Sequence, residues 1–535
     1  MKIMNCVKVF NICYVLILLP PIWAVQLQPL STEDYAEVNR SHFPDGFLFG
    51  AASSSYQVEG AFLEDGKGLN NWDNFTHLPG SIEDGSTGDI ATDHYHHYLE
   101  DIELLHAMGA DSYRFSISWS RILPSGRSGE VNLLGIAFYD KIINALVVKG
   151  IKPFVTIHHH DYPQDLEAKF GAWLSPLMQD EFVAFAEVCF RSFGDRVQHW
   201  TTINEPNLFA QVGYMKGLYP PGRCSVPFGN CSAGNSVKEP LIAMHNMLLA
   251  HGKTAKLYRE KYQARQSSLI GIVGSFEMYE PLTNSTENLK AVNRAFAFNW
   301  GWLLDPLILG DYPLEMRNIH GNDLPSFSPL EMQIVKGSSD FIGVNHYTVS
   351  YVNDCLHSSS SCSPQDTNPA AGFLKTGPTR DGVPIGEPTA YSRFCVVPRG
   401  IETAVEYLKN KYNNTLLFIT ENGYAGEAKE NIKDSLNDIK RVQYMKSYLS
   451  ALSRAIRKGA DVRGYFVWSL MDSFEWIHGY KLKFGLHHID FTTQRRTPKL
   501  SAKWYSEFMA EKDGRKPGLI QEYRGKEDGK LIDRR

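Results

Sequence analysis

A short apolar run followed by an amphipathic helical stretch recurs along the chain, and no other feature restricts its fold so strongly. The runs fall at 47–52, 112–117, 152–157, 199–203, 269–275, 341–345, 416–420 and 464–468. Several are apolar at consecutive positions, as in strands buried on both faces of a parallel sheet, not alternating as in a half-exposed one. Helical periodicity lies between them, over 94–108, 133–148, 179–193, 241–262, 400–412 and 439–458. No linker is wide enough to separate domains. Eight βα units predict a single closed (β/α)8 barrel of the TIM type with long βα loops, able to absorb most of 535 residues as one unit.

Both ends of the chain fall outside the repeat. Residues 1–24 read as a secretory signal peptide, since Lys2 and Lys8 precede an apolar run over 9–19 and the segment ends at Ala24. That run is too short to span a bilayer and no other segment approaches eighteen uninterrupted apolar residues, so no membrane anchor is expected. Residues 25–42 form an N-terminal extension, 43–510 the barrel domain, and 511–535 a solvated tail of mixed charge. Cysteine usage fits export. Cys224 and Cys231 stand seven residues apart in a Pro/Gly/Ser-rich loop, Cys355 and Cys362 repeat the separation in another, and both pairs read as local disulfides in preference to free thiols. Cys189 and Cys395 lie in apolar runs and read as buried single thiols. Sequons at Asn39, Asn74, Asn230, Asn284 and Asn413 agree with passage through the secretory pathway, towards the cell exterior or wall, with a vacuole as the alternative. With 54 Lys and Arg against 59 Asp and Glu, the net charge of −5 is too small for a nucleic-acid binder. Oligomeric state is not legible.

In a (β/α)8 barrel the active site lies at the carboxyl ends of the strands. The residues there are unusually polar: Arg114 on the second run, His158 to Asp161 after the third, Asn204 and Glu205 after the fourth, Asn345 to Tyr347 after the sixth, Glu421 and Asn422 after the seventh, and Glu475 beyond the eighth. As single residues any of them reads equally well as a cap or an ion pair; as a set they read as a site. Strands four and seven lie across a barrel mouth from one another, so Glu205 and Glu421 are expected to face each other over a ligand. Two opposed carboxyl groups are what glycoside hydrolysis requires.

These motifs carry a family resemblance. From about Phe43 to Phe508 the sequence resembles the family 1 glycoside hydrolases, in particular the plant β-glucosidases. It does so through Phe47 to Ala52, Tyr56 to Ala61, Tyr113 to Trp119, Thr201 to Pro206, Phe418 to Gly423 and Trp468 to Trp476, in collinear order. The resemblance implies that Glu205 is the acid/base and Glu421 the nucleophile. It implies that Gln57, His159, Asn204, Glu475 and Trp476 contact sugar hydroxyls, that Trp468 is the stacking platform, that Tyr347 and Phe484 also bind substrate, and that Arg114 and Asn345 support the site. Arg114 and a hydrogen bond from Tyr347 are expected to keep Glu421 ionised, and the charge on Glu421 to raise the pKa of Glu205. The double displacement that follows predicts retention of the β configuration and carboxyl groups ~5–5.5 Å apart. No cofactor is expected, because a covalent ester to Glu421 supplies the activation. The expected partner is a small-molecule β-glucoside.

Finer readings follow from single residues. Glu475 is expected to repel a phosphate, favouring an unmodified sugar over a 6-phospho sugar; Glu205 speaks against the thioglucosidase branch, in which that acid is replaced. His158 and His160 depart from the common plant pattern, which has aromatics there. A zinc site at His158 to Asp161, with His94, His96 and His97, is weaker than the sugar-site reading, because strand alternation sends consecutive side chains to opposite faces. His159 to Asp161 and Pro220 to Ser225 resemble motifs of glucosidases acting on monolignol glucosides such as coniferin. The loop over 350–398 is expected to shape the aglycone slot, altered because Ser392 to Cys395 replaces a stretch that often carries a Trp. Gly252-Lys253-Thr254 lacks the earlier glycine of a phosphate loop, and neither a Gly-x-Ser-x-Gly elbow nor a strand-linked dinucleotide motif occurs. A transglucosidase and a non-catalytic sugar-binding protein remain as alternatives on the same scaffold.

Overall fold

Each apolar run becomes a strand, with boundaries moved by no more than two residues: β1 Leu48–Ala52, β2 Ser112–Ser116, β3 Lys152–His158, β4 His199–Asn204, β5 Leu269–Ser275, β6 Phe341–Asn345, β7 Leu417–Asn422 and β8 Val462–Trp468. The computed structural model describes residues 37–357 and 361–510. The expected signal peptide, the extension up to residue 36 and the tail over 511–535 lie outside the described residues. The strands pair in parallel in the ring β1–β8–β7–β6–β5–β4–β3–β2 and close on β1, a (β/α)8 barrel.

Period-two alternation fills the barrel. Phe154, Phe341, Phe418 and Phe466 point inward from β3, β6, β7 and β8 with ring centroids 5.0–5.6 Å apart, and His199 of β4 lies flat on Phe154 at 5.0 Å. This aromatic layer plugs the barrel floor. Two residues further along, Thr156, Thr201, Gly343 and Thr420 are small and packed closely together. A Cβ on Gly343 would sit 2.6 Å from Val273 Cγ2 and 2.9 Å from Thr420 Cγ2, so this strand position has no room for a side chain. The next inward residues, Asn345 and Trp468, belong to the mouth.

Helices cover the outside as the periodicity predicts: His94–Met108, Leu133–Val148, Leu177–Phe193, Glu239–Lys261, Arg399–Lys411 and Ile439–Arg457. Two further coverings were not among the helical patterns named from sequence. One, Leu500–Ala510, follows β8. The other, Thr286–Phe296, lies between β5 and β6 and runs on through π-helical turns at Ala297–Gly301 and Asp305–Leu309, whose wider winding breaks the 3.6-residue period.

The 350–398 loop contains antiparallel strands Val349–Asp354 and Leu374–Gly377, with Met278–Pro281 paired on the first strand's other edge. Disulfides join Cys224 to Cys231 and Cys355 to Cys362, while Cys189 and Cys395 are free and buried. Of the sequon asparagines, Asn74, Asn230, Asn284 and Asn413 are exposed and Asn39 is half-buried. No helix among the described residues is long and apolar enough to cross a membrane.

Candidate active site

Strand alternation is interrupted where the two glutamates occur. The β4–β5 register shifts between Thr201 and Asn204, and the β7–β6 register between Ile419 and Glu421. Such irregularities re-aim a strand end, and both turn a carboxyl group towards the axis. Glu205 follows β4 with φ of 47°, a left-handed conformation that costs a non-glycine residue of order 1 kcal/mol. It is pinned there by its own N–H donating to Val273 O at 2.9 Å and by the helix Pro206–Tyr214 that starts immediately after it.

Glu205 and Glu421 line one cavity of about 780 Å³ with His159, His160, Asn345, Tyr347, Trp468, Glu475, Trp476 and Phe484. Beneath it, Arg114 fixes the arrangement. Its Nη1 donates to Glu421 Oε1 at 2.6 Å and its Nη2 to Asn204 Oδ1 at 2.7 Å; Tyr347 Oη donates to the other Glu421 oxygen at 2.7 Å. Because the Asn204 oxygen is committed to Arg114 and to Asn345 Nδ2, its amide nitrogen faces His159 Nε2 at 3.1 Å. His159 therefore accepts at Nε2 and carries its proton on Nδ1. Burial first, then His160 and Arg114, holds its pKa well below the usual imidazole range, so the ring is neutral. His159 also lies between Trp468 and Trp476, stacked at 5.8 and 6.0 Å.

Glu205 has the opposite environment. Burial is the largest influence and the charge of Glu421 the second, together pushing its pKa up to about 8 against hydrogen bonds from Asn345 and Ser275 and the attraction of Arg114. The neighbouring charge expected to raise it acts, but burial outweighs it. Glu475 is raised to about 8 in the same way, by burial first and Glu421 second, while the Trp468 indole and Gln57 donate to it. Glu475 therefore holds a proton more tightly than an ordinary carboxyl group does.

Gln57 is fully buried. Its amide donates to Phe474 O at 2.7 Å and Glu475 Oε2 at 3.2 Å and its oxygen accepts from Ser54, so in this structure it braces Glu475 below the cavity wall. Asn204 and Arg114 likewise lie behind the lining.

The three histidines separate. His158 turns away among Trp119, Trp173 and Phe182, its pKa lowered by burial to about 4, while His159 and His160 line the cavity. His94, His96 and His97 pair with Asp101, Asp93, Glu64 and Glu100 elsewhere. His160 stacks on Phe209 at 5.3 Å and brings Nε2 to 3.9 Å from Glu205 Oε2.

Sequence reasoning missed the groups that hold Glu205 from the far side. Asn207 accepts from Ser275 N at 3.1 Å and donates to Ser275 O at 2.8 Å and to Asn299, which the first π-helical turn presents to the cavity. Asn207 was detectable, two residues past Glu205; Asn299 had no local signal. The outer cavity is aromatic: Phe394 stacks on Tyr347 at 5.2 Å and meets the Tyr391 edge at 4.6 Å. Phe394 thus supplies an aromatic wall in the stretch that often carries a Trp.

Residues 39–514 match the model of Glycosyl hydrolase family 1. A rice protein named "Probable inactive beta-glucosidase 14" is 54% identical over 475 residues, spanning 88% of this chain and 92% of its own. A coniferin β-glucosidase of Pinus contorta is 50% identical over 487 residues, 89% of this chain and 94% of that one. Among solved structures, a rice β-glucosidase variant in a covalent complex with glucose superposes with a TM-score of 0.85 at 45% identity, covering 88% of this chain and 99% of that one.

Proposed function

The chain belongs to glycosyl hydrolase family 1 and is a β-glucosidase, and from that premise we propose that it works by double displacement through Glu421 and Glu205 on phenylpropanoid glucosides. The observation that carries the reading is the contrast between two carboxyl groups in one cavity: Glu421 receives Arg114 and Tyr347 as donors, while Glu205 is buried and raised to about 8.

In the first step a Glu421 oxygen attacks the anomeric carbon as the bond to the aglycone oxygen breaks, and the Glu205 proton passes to that oxygen. The sugar is now an ester of Glu421. Its formation removes the charge that was the second cause of the raised Glu205 pKa, so Glu205, left as a carboxylate, takes a proton from water as the water oxygen attacks the same carbon. Free Glu421, β-glucose and protonated Glu205 result. His159, Glu475 and Trp476 face the hydroxyls, with Asn204 holding His159 from behind, Trp468 floors the ring, and Phe484 and Tyr347 close the sides. The covalent glucose complex of the rice relative supports an ester intermediate.

The phenylpropanoid preference rests on the aromatic outer cavity and on the name of the pine relative. Relative kcat/KM on coniferin, syringin, a flavonoid glucoside and cello-oligosaccharides tests it; a cello-oligosaccharide leading the series overturns it. The disulfides fit an oxidising compartment, and we assign the protein to the cell exterior or wall. A barrel domain over 43–510 carries all of these groups.

A further inference from the structure

Beyond the aromatic wall the cavity changes character. Lys216 and Arg393 line its outer part with Glu277, Asp366 and Tyr391. Lys216 lies just past the helix Pro206–Tyr214 that begins after Glu205. Nine helical residues set it roughly 14 Å along from the acid/base, a span that an aryl ring with a three-carbon tail and the lysine's own four-carbon stem bridge between them.

The Lys216 ammonium has no hydrogen-bond or ion-pair partner among the described residues; Lys216 and Arg393 are solvent-exposed residues on the lining of the cavity. Burial, then Arg393, lowers its pKa to about 8, against the opposing pull of Glu277. Arg393 makes one long contact, Nη2 to Thr376 Oγ1 at 3.4 Å. The anions nearby are otherwise engaged: Glu277 accepts from Ser350 Oγ, and Asp366 accepts from the Ser363 backbone and hydroxyl at 2.7 and 2.8 Å. Glu277 offsets part of the charge of the two cations but makes no direct ion pair with either, so an anion placed between them would gain both contacts; the space between them and the sugar site is walled by Tyr347, Phe394 and Tyr391.

We propose that Lys216 and Arg393 form an anion-reading outer subsite, and that the preferred aglycone is an aromatic acid, a hydroxycinnamate-type phenol whose ionised carboxylate ends between them. This rests on the glucosidase reading above and narrows its substrate class. The bond broken is still the one between the anomeric carbon and the phenolic oxygen; the carboxylate is spectator and anchor.

The test compares three glucosides differing in the tail alone: ferulic acid 4-O-β-glucoside, its methyl ester, and coniferin. A charge-assisted contact in a part-buried site is worth about tenfold or more, so the acid should exceed its methyl ester in kcat/KM by about tenfold at low salt. The ratio should shrink as salt is added, collapse towards one in the Lys216→Met/Arg393→Met double variant, and grow in Glu277→Gln. A wild-type ratio of one or less, or a ratio the double variant leaves unchanged, overturns the subsite. Calorimetric binding of ferulate against methyl ferulate to the Glu421→Gln variant reads the same preference without turnover. If none of the three glucosides is cleaved, the function proposed above fails, and the calorimetric ratio still decides on the subsite.

Discussion

At the scale of single residues the chemistry depends on two carboxyl groups of one type kept in different states by what surrounds them. Replacing Glu421 with Gln removes the attacking oxygen, and kcat on any glucoside should fall by at least about 10⁴-fold, a barrier increase of more than about 5 kcal/mol; near-normal turnover would remove the nucleophile assignment. Glu205→Gln should slow phenols that leave poorly far more than nitrophenol, and added azide, which needs no base, should restore the nitrophenyl rate and yield a β-glycosyl azide. Absence of that product argues against the acid/base role. Since the free enzyme must hold its proton on Glu205, raised to about 8, kcat/KM should fall as pH rises through that value. Glu205 and Glu475 titrate as neighbours, so the limb belongs to the pair. His160 lies 3.9 Å from Glu205, and His160→Phe should displace this alkaline limb, read from the pH profile of kcat/KM. The sequence disclosed both glutamates because they end apolar runs. It disclosed neither Ser275 nor Asn299 as partners, because contacts between separate strands and loops leave no local pattern.

The elements bring those residues together by departing from regularity at chosen points. β4 loses its register against β5 above the aromatic layer, and β7 shifts against β8 beside Phe418 and against β6 just before Glu421. The strained Glu205 backbone is then held from both sides, by Val273 O and by Asn207 bridging to Ser275. Asn207→Ala should remove the partner of the half-buried Ser275 N–H and C=O, destabilising the fold by about 1 kcal/mol in urea unfolding and reducing kcat more than it changes KM. Unchanged stability with unchanged kcat would show that the bridge supports nothing. Parallel strands, buried on both faces, were easy to read as continuous apolar runs, and all eight were legible within two residues. The stretch over 297–309 was not, since a π-helical turn follows no period that a helical search uses, and Pro306 stands inside it.

For the whole molecule, barrel and loops divide the work. The aromatic plug makes the floor rigid, and truncating Phe418 there to Ala should cost about 3–5 kcal/mol without altering which glucoside is preferred, whereas changes in the 350–398 loop should alter preference with little loss of stability. That division also separates the rival activities. A rice relative at 54% identity is named as probably inactive, so membership of the family alone does not guarantee turnover, and the described site here retains both glutamates with their donors. A sugar-binding protein would bind glucose without releasing aglycone; a transglucosidase would release aglycone but pass glucose to an added alcohol or carboxylic acid in place of water. The stereochemistry of the first product decides whether either displacement occurs as argued. Two inversions at one carbon return the β anomer, whereas a single displacement by water would need the carboxyl groups ~6.5–9.5 Å apart and would give the α anomer. Proton NMR within the first minutes of hydrolysis, before mutarotation, should therefore show the β anomeric signal of glucose growing first; an initial α signal would mean that water, not Glu421, reaches the sugar.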